Sequence, residues 1–310
     1  MVAVLMSTYN GAAYLRPQID SILRQSYGDF VLIIRDDGSS DGTVATVESY
    51  ADPRIRLIRG ENLGPAKSFF ALLAEAKEFE YLFFCDQDDV WGEEKIEEGL
   101  KRLSSFGDRP AMVFTDFSSI DGEGKTTDAS YAASAGLRVR EGLISVSDIL
   151  MHPYVFGCAS CINRALAQRV TDPPEGIEMH DCWISLTAAC LGGLYYDPNP
   201  TLAHRFHSSN ATGRAGQNGL SARFRRLTKG FRRQCENSAL RLRQTQLLLD
   251  RFSEEMVPSQ REILTHVADA CRRGRFAAVR ALRSRKIARQ GRLNTWFMYL
   301  TVLNVKGDIL

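Results

Sequence analysis

The chain has 310 residues, of which 44% are hydrophobic and 25% charged, with a net charge of +2. This excludes a disordered chain and provides for a full core, as one large domain or one domain with a helical appendage. Seven cysteines, odd in number and scattered through apolar runs, argue against a disulfide framework. With no basic-then-apolar leader, the expectation is a reducing cytoplasm. The charge is uneven: the N-terminal half is acidic in balance, and arginine dominates from residue 205 onward, which points to an anionic partner surface, membrane or nucleic acid.

Residues 2–7 read as the first strand and 8–11 as the loop after it. Leu15, Ile19, Ile22 and Leu23 then recur at helical spacing. Residues 30–34 form a second buried strand that runs into Arg35-Asp36-Asp37-Gly38-Ser39-Ser40-Asp41-Gly42-Thr43. There Gly38 and Gly42 permit tight turns, and Asp41 or Ser40 would cap a helix through Tyr50. Residues 54–58 give a strand, and Asn62-Leu63-Gly64-Pro65 turns into a helix burying Phe69, Leu72, Leu73 and Ala76. Residues 81–85 are a strand apolar on both faces, so the first ninety residues alternate strand and helix as in a mostly parallel sheet.

Beyond that, 95–103 read as helix and 111–116 as strand, and 118–135 as a polar surface loop bordering the site. Short helical signals follow at 146–150 and 163–170, on either side of an apolar, cysteine-containing stretch at 154–162. An apolar helix opens at 179–183, and 195–197 is the expected last strand of the core. Residues 212–219 are Gly-rich, 223–249 and 258–271 read as helices, and 272–292 are basic. Residues 296–305 are apolar but too few to span a bilayer.

The chemistry concentrates after the strand at 81–85, where Asp86, Asp88 and Asp89 fall within four positions. Clustered carboxylates repel one another and are costly to desolvate unless a positive charge sits among them. The natural occupant is a divalent cation carrying a diphosphate, in the crevice beyond the strand ends of an open α/β sheet. Asp86 and Asp88 share a face of an extended segment, and hard oxygen ligands suit Mg or Mn. The plain alternative is an Asp-rich turn without an ion. Cys158-x-x-Cys161 with Cys182 and Cys190 has one zinc-like spacing but no second pair to match, so buried thiols are the better reading. No Gly-x-Gly-x-x-Gly follows the first strand, which argues against a dinucleotide oxidoreductase.

Four separated motifs, Met6-Ser7-Thr8-Tyr9-Asn10-Gly11, Asp36 through Thr43, Asn62-Leu63-Gly64 and Asp86-Gln87-Asp88-Asp89, resemble in order and context those of family 2 of the inverting glycosyltransferases. The resemblance covers roughly residues 1–210 and implies an α/β GT-A fold, with a single mostly parallel central sheet flanked by helices. Residues 211–310 would form a basic C-terminal helical extension. Phe84 through Trp91, followed by Lys95-Ile96, is similar to the rhamnosyltransferase branch of rhamnan and O-antigen synthesis. The implied donor is a nucleotide sugar, dTDP-L-rhamnose or a UDP-sugar, used with Mn or Mg.

By the same resemblance Thr8, Tyr9 and Asn10 border the nucleobase, Asp37 accepts its ring NH, and Lys67, Asp86, Gln87 and Arg205 complete the donor site. Asp88 and His207 are the implied metal ligands, His207 through the similarity of Arg205-Phe206-His207-Ser208-Ser209-Asn210 to a branch motif. Asp181, before Trp183, is the implied general base; the alternative is that it merely caps its helix. The adjacent His180 is read as an orienting or packing residue. The processive-synthase signature Gln-x-x-Arg-Trp is absent. The implied acceptor is a glycan on a polyprenyl diphosphate at the cytoplasmic face of the membrane. Arg223 through Arg226 and residues 272–292 would then lie on anionic headgroups, anchored by Phe231, Phe276 and Trp296. An oligomer contact is the alternative use of that tail, and no nucleic-acid partner is expected.

Overall fold

The computed structural model describes residues 1–207, 220–289 and 291–305, and their side chains other than those of 220–229. Its strands are β1 (Val2–Thr8), β2 (Phe30–Asp36), β3 (Ile55–Arg59), β4 (Tyr81–Cys85), β5 (Val90–Trp91) and β6 (Met112–Thr115). They continue as β7 (Ser118–Ile120), β8 (Thr126–Asp128), β9 (Gly142–Leu143), β10 (Ser160–Asn163), β11 (Leu194–Asp197) and β12 (Leu202–Arg205). Eight strands form the main sheet in the order β3-β2-β1-β4-β10-β6-β11-β9. The β3-β2-β1-β4 half is parallel, as the near-continuous apolar character of β1, β2 and β4 requires of strands covered on both faces. Register puts Thr8 beside Asp36 and Met6 beside Cys85, so the chain leaves β1, β2 and β4 at one edge.

Three expectations need correction. The architecture is not a single mostly parallel sheet: β10 runs antiparallel between β4 and β6, β9 is antiparallel at the edge, and β5-β12-β7-β8 make a second sheet. The polar stretch at 118–135 is no plain loop. It pairs β7 with β8 around a turn in which Asp121 Oδ1 accepts the amides of Glu123 (3.0 Å) and Lys125 (2.9 Å), then forms the short helix Tyr131–Ser134. Its Ser and Thr carry no apolar alternation, so these strands are made by their partners rather than announced by pattern. Likewise β11 is not the final strand, because β12 follows it and pairs with β5 and β7.

Helices cover both faces of the main sheet. Ala12–Leu23, Thr43–Glu48 and Lys95–Ser104 pack on one side, and Pro65–Glu75 and His180–Cys190 on the other. The C-terminal helices Leu220–Phe252, Pro258–Arg272, Arg275–Ser284 and Arg292–Leu303 join the second face, where Phe252, Leu264, Val267, Leu282 and Met298 belong to the same cluster as Trp183. Each such side chain, fully buried, contributes about 1.5–3 kcal/mol. Among the described residues no helix is long and apolar enough to cross a membrane. The Gly-rich stretch at 212–219, residues Ser208 to Asn210 and the side chains of Arg223 to Arg226 lie outside the description.

Candidate active site

The loops leaving β1, β2 and β4 are laced to one another. Asn10 takes a positive φ of 48°, its amide donates to Ser39 Oγ (2.9 Å), and its Oδ1 accepts the Ser40 amide (2.9 Å). Gln87 clasps the main chain of Tyr9, accepting its N–H at 2.9 Å and donating to its carbonyl at 3.2 Å. That clasp needs Gly11, since a Cβ there would stand 2.1 Å from Gln87 Oε1. Asp41, expected as a helix cap, accepts from Thr43 N (2.9 Å) and also from Ala12 N (3.1 Å), so it joins two helix starts. The Tyr9 side chain is exposed beside this seam.

Asp36 and Asp37 are both buried. Asp36 accepts the amides of Gly38 (3.1 Å) and Ser39 (2.9 Å) and the Thr8 hydroxyl (3.3 Å). Asp37 is ion-paired with Arg35 and accepts the amides of Leu63 (3.0 Å) and Gly64 (2.9 Å), so it fastens the 60–64 turn to the end of β2. A carboxylate offers about four acceptor positions, and three of them are used. Lys67 stands exposed in the first turn of Pro65–Glu75, just past that turn.

The second sheet explains how the distant His204 and His207 reach the aspartates that follow β4. Antiparallel pairing of β12 with β5 places Ala203 opposite Val90, and Arg205 N then donates to Asp89 Oδ1 at 3.1 Å. His204 Nδ1 meets Asp89 Oδ1 at 2.7 Å, and His207 Nε2 meets Asp88 Oδ2 at 2.9 Å. The Arg205 guanidinium is buried against the main chain, donating to the carbonyls of Asp88 (2.9 Å) and Asp121 (3.0 Å), with its centre 4.9 Å from the Tyr14 ring. His207 also lies on Tyr14, with ring centroids 4.7 Å apart.

Asp86, Asp89, Cys158 and His204 bring four ligand-type atoms within 4.8 Å of one another. Burial and the neighbouring Asp89 and Asp88 push the Asp86 carboxyl up to about 8, and Asp88 is raised by burial and Asp89 against the opposing pull of His207. Burial draws the His204 imidazole down, but Asp89 outweighs it and carries the group to about 9. The Cys158 thiol is pushed well up by burial and by Asp89, so it stays neutral. Asp89 Oδ2 and His204 Nε2, both buried, lack a hydrogen-bond partner among the described residues. Buried orphans in an acidic cluster fit completion by a divalent ion, and with the Cys158 thiol kept neutral the remaining donors are carboxylate oxygens and imidazole. The zinc set of four cysteines does not assemble; among the described residues Cys158 keeps company with Asp86, Asp89 and His204 instead.

These shifts have one sign. In the metal-free protein Asp86 holds a proton that the unfolded chain releases above about pH 4, and His204 holds one that the unfolded chain releases above about 6.5. The folded state therefore loses stability as pH rises towards their folded values of about 8 and 9. In EDTA the melting temperature is expected to fall between pH 6.5 and 9, as read by differential scanning fluorimetry, and a divalent ion should flatten that slope. A rising profile in EDTA would contradict the cluster's charge balance.

Asp181 comes from a separate element, the helix His180–Cys190. Helix His180–Cys190 is buried at every residue except Asp181, which sits half-exposed in its first turn and whose charge is near enough to help raise Asp86. Its Oδ1 accepts the following Cys182 amide at 2.7 Å. His180 turns into the core, stacked on Phe69 with centroids 4.1 Å apart and kept neutral by burial, so it packs the helix start. The residues before the helix are held from the C-terminal region. Arg241, buried in Leu220–Phe252, grips Glu178 through two nitrogens (2.9 and 3.1 Å) and donates to the Met151 carbonyl at 3.2 Å. Removing one partner of so buried a pair strands the other, so Glu178→Ala should cost about 3 kcal/mol in chemical denaturation. A cost below about 0.5 kcal/mol would mean that the pair is solvated.

The structure thus brings Thr8, Tyr9, Asn10, Asp86, Gln87, Asp88, Arg205 and His207 to one edge, with Asp37 beneath it and Asp181 near enough for its charge to act on Asp86. Sequence reasoning counted Asp89 in the acidic cluster without a separate role and read Cys158 as a buried thiol; it gave no role to His204 or to the Glu178–Arg241 clamp. The His-x-x-His spacing of 204 and 207 was the one available signal, because β12 itself had not been recognised.

The α/β sheet thus carries an acidic cluster beyond its parallel strand ends, with the Asp181 carboxylate near enough to act on Asp86. Residues 3–170 match the sequence profile of Glycosyl transferase family 2, and the chain belongs to that family. It is 26% identical over 219 residues to an uncharacterised glycosyltransferase of Rickettsia prowazekii, covering 69% of this chain and 67% of the relative. It is 31% identical over 97 residues, 31% of this chain and 38% of the relative, to an Escherichia coli UDP-Glc:alpha-D-GlcNAc-diphosphoundecaprenol beta-1,3-glucosyltransferase. Among solved structures, Staphylococcus aureus TarS 1-349 in complex with UDP-GlcNAc superposes with a TM-score of 0.56 at 16% identity, over 92% of this chain and 90% of that one. A mannosyltransferase from Pyrobaculum calidifontis in complex with GDP-Man and Mn2+ gives 0.54 at 19% identity, over 98% and 86%. At these identities the likeness is one of fold, consistent with a GT-A-like architecture.

Proposed function

We propose that the protein is an inverting glycosyltransferase that moves a sugar from a nucleoside diphosphate to a hydroxyl of a lipid-linked or polysaccharide acceptor. The observation that carries this reading is Asp181, the one residue of a core helix that is not buried, near enough to the Asp86–Asp88–Asp89 cluster for its charge to act on Asp86. Asp181 takes the proton of the acceptor hydroxyl as that oxygen bonds to the anomeric carbon, on the face opposite the departing diphosphate. Thr8, Tyr9 and Asn10, over the Asp37-fastened turn, hold the nucleotide, with the fourth acceptor position of Asp37 left for a base NH. Asp86 and Gln87 border the ribose side and Lys67 the donor's outer edge. Arg205 fixes the acidic loop by its main-chain contacts.

Asp88 and His207, with the Asp86–Asp89–His204 cluster behind them, would hold the divalent ion. When bound, the ion supplies positive charge to the leaving diphosphate. The acceptor is proposed to be a glycan on a polyprenyl diphosphate, a reading supported by the name of the Escherichia coli relative, and to be presented at the cytoplasmic face of a membrane.

For the donor, a UDP-hexose or UDP-N-acetylhexosamine is favoured over dTDP-L-rhamnose. The named relatives and neighbours carry glucose, N-acetylglucosamine and mannose donors, whereas the rhamnosyl reading rests on short branch motifs, one of which runs past the described residues. Release of nucleoside diphosphate from UDP-glucose, UDP-N-acetylglucosamine, GDP-mannose and dTDP-L-rhamnose, with and without EDTA, tests this. Metal-dependent turnover of a UDP-sugar is expected. Selective turnover of dTDP-L-rhamnose would restore the rhamnosyl reading, and turnover of none would overturn the enzymatic one.

A further inference from the structure

The last two helices carry a surface that sugar transfer does not use. On Arg292–Leu303, Leu293, Trp296, Phe297 and Leu300 recur at the spacing that lines one helical face, while Met298, Thr301 and Val302 are buried on the other. Leu293 is 84% exposed, Trp296 67% and Leu300 49%, and on Arg275–Ser284 Phe276 is 80% exposed. So large a set of aromatic and aliphatic side chains on two adjacent helices is not the scattered exposure of an ordinary surface.

The charge carried by its own segment is of one sign. Between residues 272 and 305 there are nine Arg and Lys and no Asp or Glu. Arg272 and Arg285 are paired back to Asp269 and Glu262 on Pro258–Arg272. Arg273, Arg280, Arg283, Lys286 and Arg292 stand exposed among the apolar residues. An apolar stripe with an indole, on a segment whose charges are all basic, is the chemistry of an interfacial helix on an anionic bilayer: apolar side chains enter the acyl boundary and cations meet the headgroups. A second copy of the same face would bring cation against cation, so charge complementarity selects the anionic partner. Phe231 is half-buried edge-on against Phe297 with centroids 5.7 Å apart, and supports the stripe from beneath rather than extending it.

We propose that the face formed by Leu293, Trp296, Leu300 and Phe276, with its surrounding arginines, docks the protein peripherally on an anionic phospholipid surface. The proposal is independent of which sugar the enzyme transfers.

The other two tryptophans, Trp91 and Trp183, are buried, so Trp296 reports its own surroundings. The full-length protein is mixed with vesicles of phosphatidylcholine alone or of equal parts phosphatidylcholine and phosphatidylglycerol. Expected are co-sedimentation at least about tenfold stronger with the anionic vesicles, a blue shift of tryptophan emission on binding, and loss of both in high salt. The triple variant Leu293→Ser, Trp296→Ser, Leu300→Ser should lose at least about tenfold in vesicle binding and keep its thermal transition. If that variant fails to fold, the wild-type emission shift still decides. Absence of binding to anionic vesicles, binding without an emission shift, or a salt-stable dimer that the triple variant dissolves would each overturn the proposal.

Discussion

Asp181→Asn is expected to lower kcat about a hundred- to ten-thousand-fold while donor affinity changes less than about threefold. Asn keeps the shape of Asp and can still accept the Cys182 amide, so the helix start stays formed. It cannot take a proton from the acceptor hydroxyl. Single-turnover transfer and calorimetric donor binding on one preparation separate the two effects. A general base predicts loss in the first alone, and a capping residue predicts loss in neither. Near wild-type transfer by this variant would remove Asp181 from the chemistry. A parallel loss of donor affinity would place it in the donor site instead.

Asp88→Asn should act the other way round. Removing a carboxylate that contacts His207 takes away a ligand and a negative charge, and metal-dependent donor binding should weaken at least about a hundredfold. The same substitution relieves repulsion among Asp86, Asp88 and Asp89, so in EDTA the variant should melt at or above the wild-type temperature. Function lost with stability kept or gained is the signature of residues held together for a ligand. If the variant is instead destabilised in EDTA with donor binding unchanged, Asp88 is a structural partner of His207 and the ion lies elsewhere.

The parallel half of the fold was legible because β1, β2 and β4 are apolar on both faces and alternate with amphipathic helices such as Ala12–Leu23. The acidic loop was legible for a related reason: three aspartates directly after a buried strand have few structural uses. The second sheet was not. Ser118–Ile120 and Thr126–Asp128 have neither apolar alternation nor length, and Val90–Trp91 is two residues long; such strands exist through pairing, Val90–Trp91 and Ser118–Ile120 with β12 and Thr126–Asp128 with Ser118–Ile120, which one sequence read locally does not reveal. That omission had a consequence at the site, since β12 carries His204 to Asp89 and delivers His207 to Asp88. It also hid the part played by Arg205, whose guanidinium meets main-chain carbonyls of the acidic loop and of the β7–β8 turn. The Glu178–Arg241 clamp joins residues 63 positions apart, and neither lies in a motif. The C-terminal helices looked like an appendage in sequence but share the core of Trp183.

The measurement that tests the central claim most directly is titration calorimetry of UDP and dTDP into the wild-type protein, with Mn and again with EDTA. A nucleotide site organised around a divalent ion predicts binding in Mn that weakens at least about a hundredfold in EDTA, and that His207→Ala weakens in Mn but not in EDTA. Equal affinity with and without the ion, or binding indifferent to His207, would contradict it.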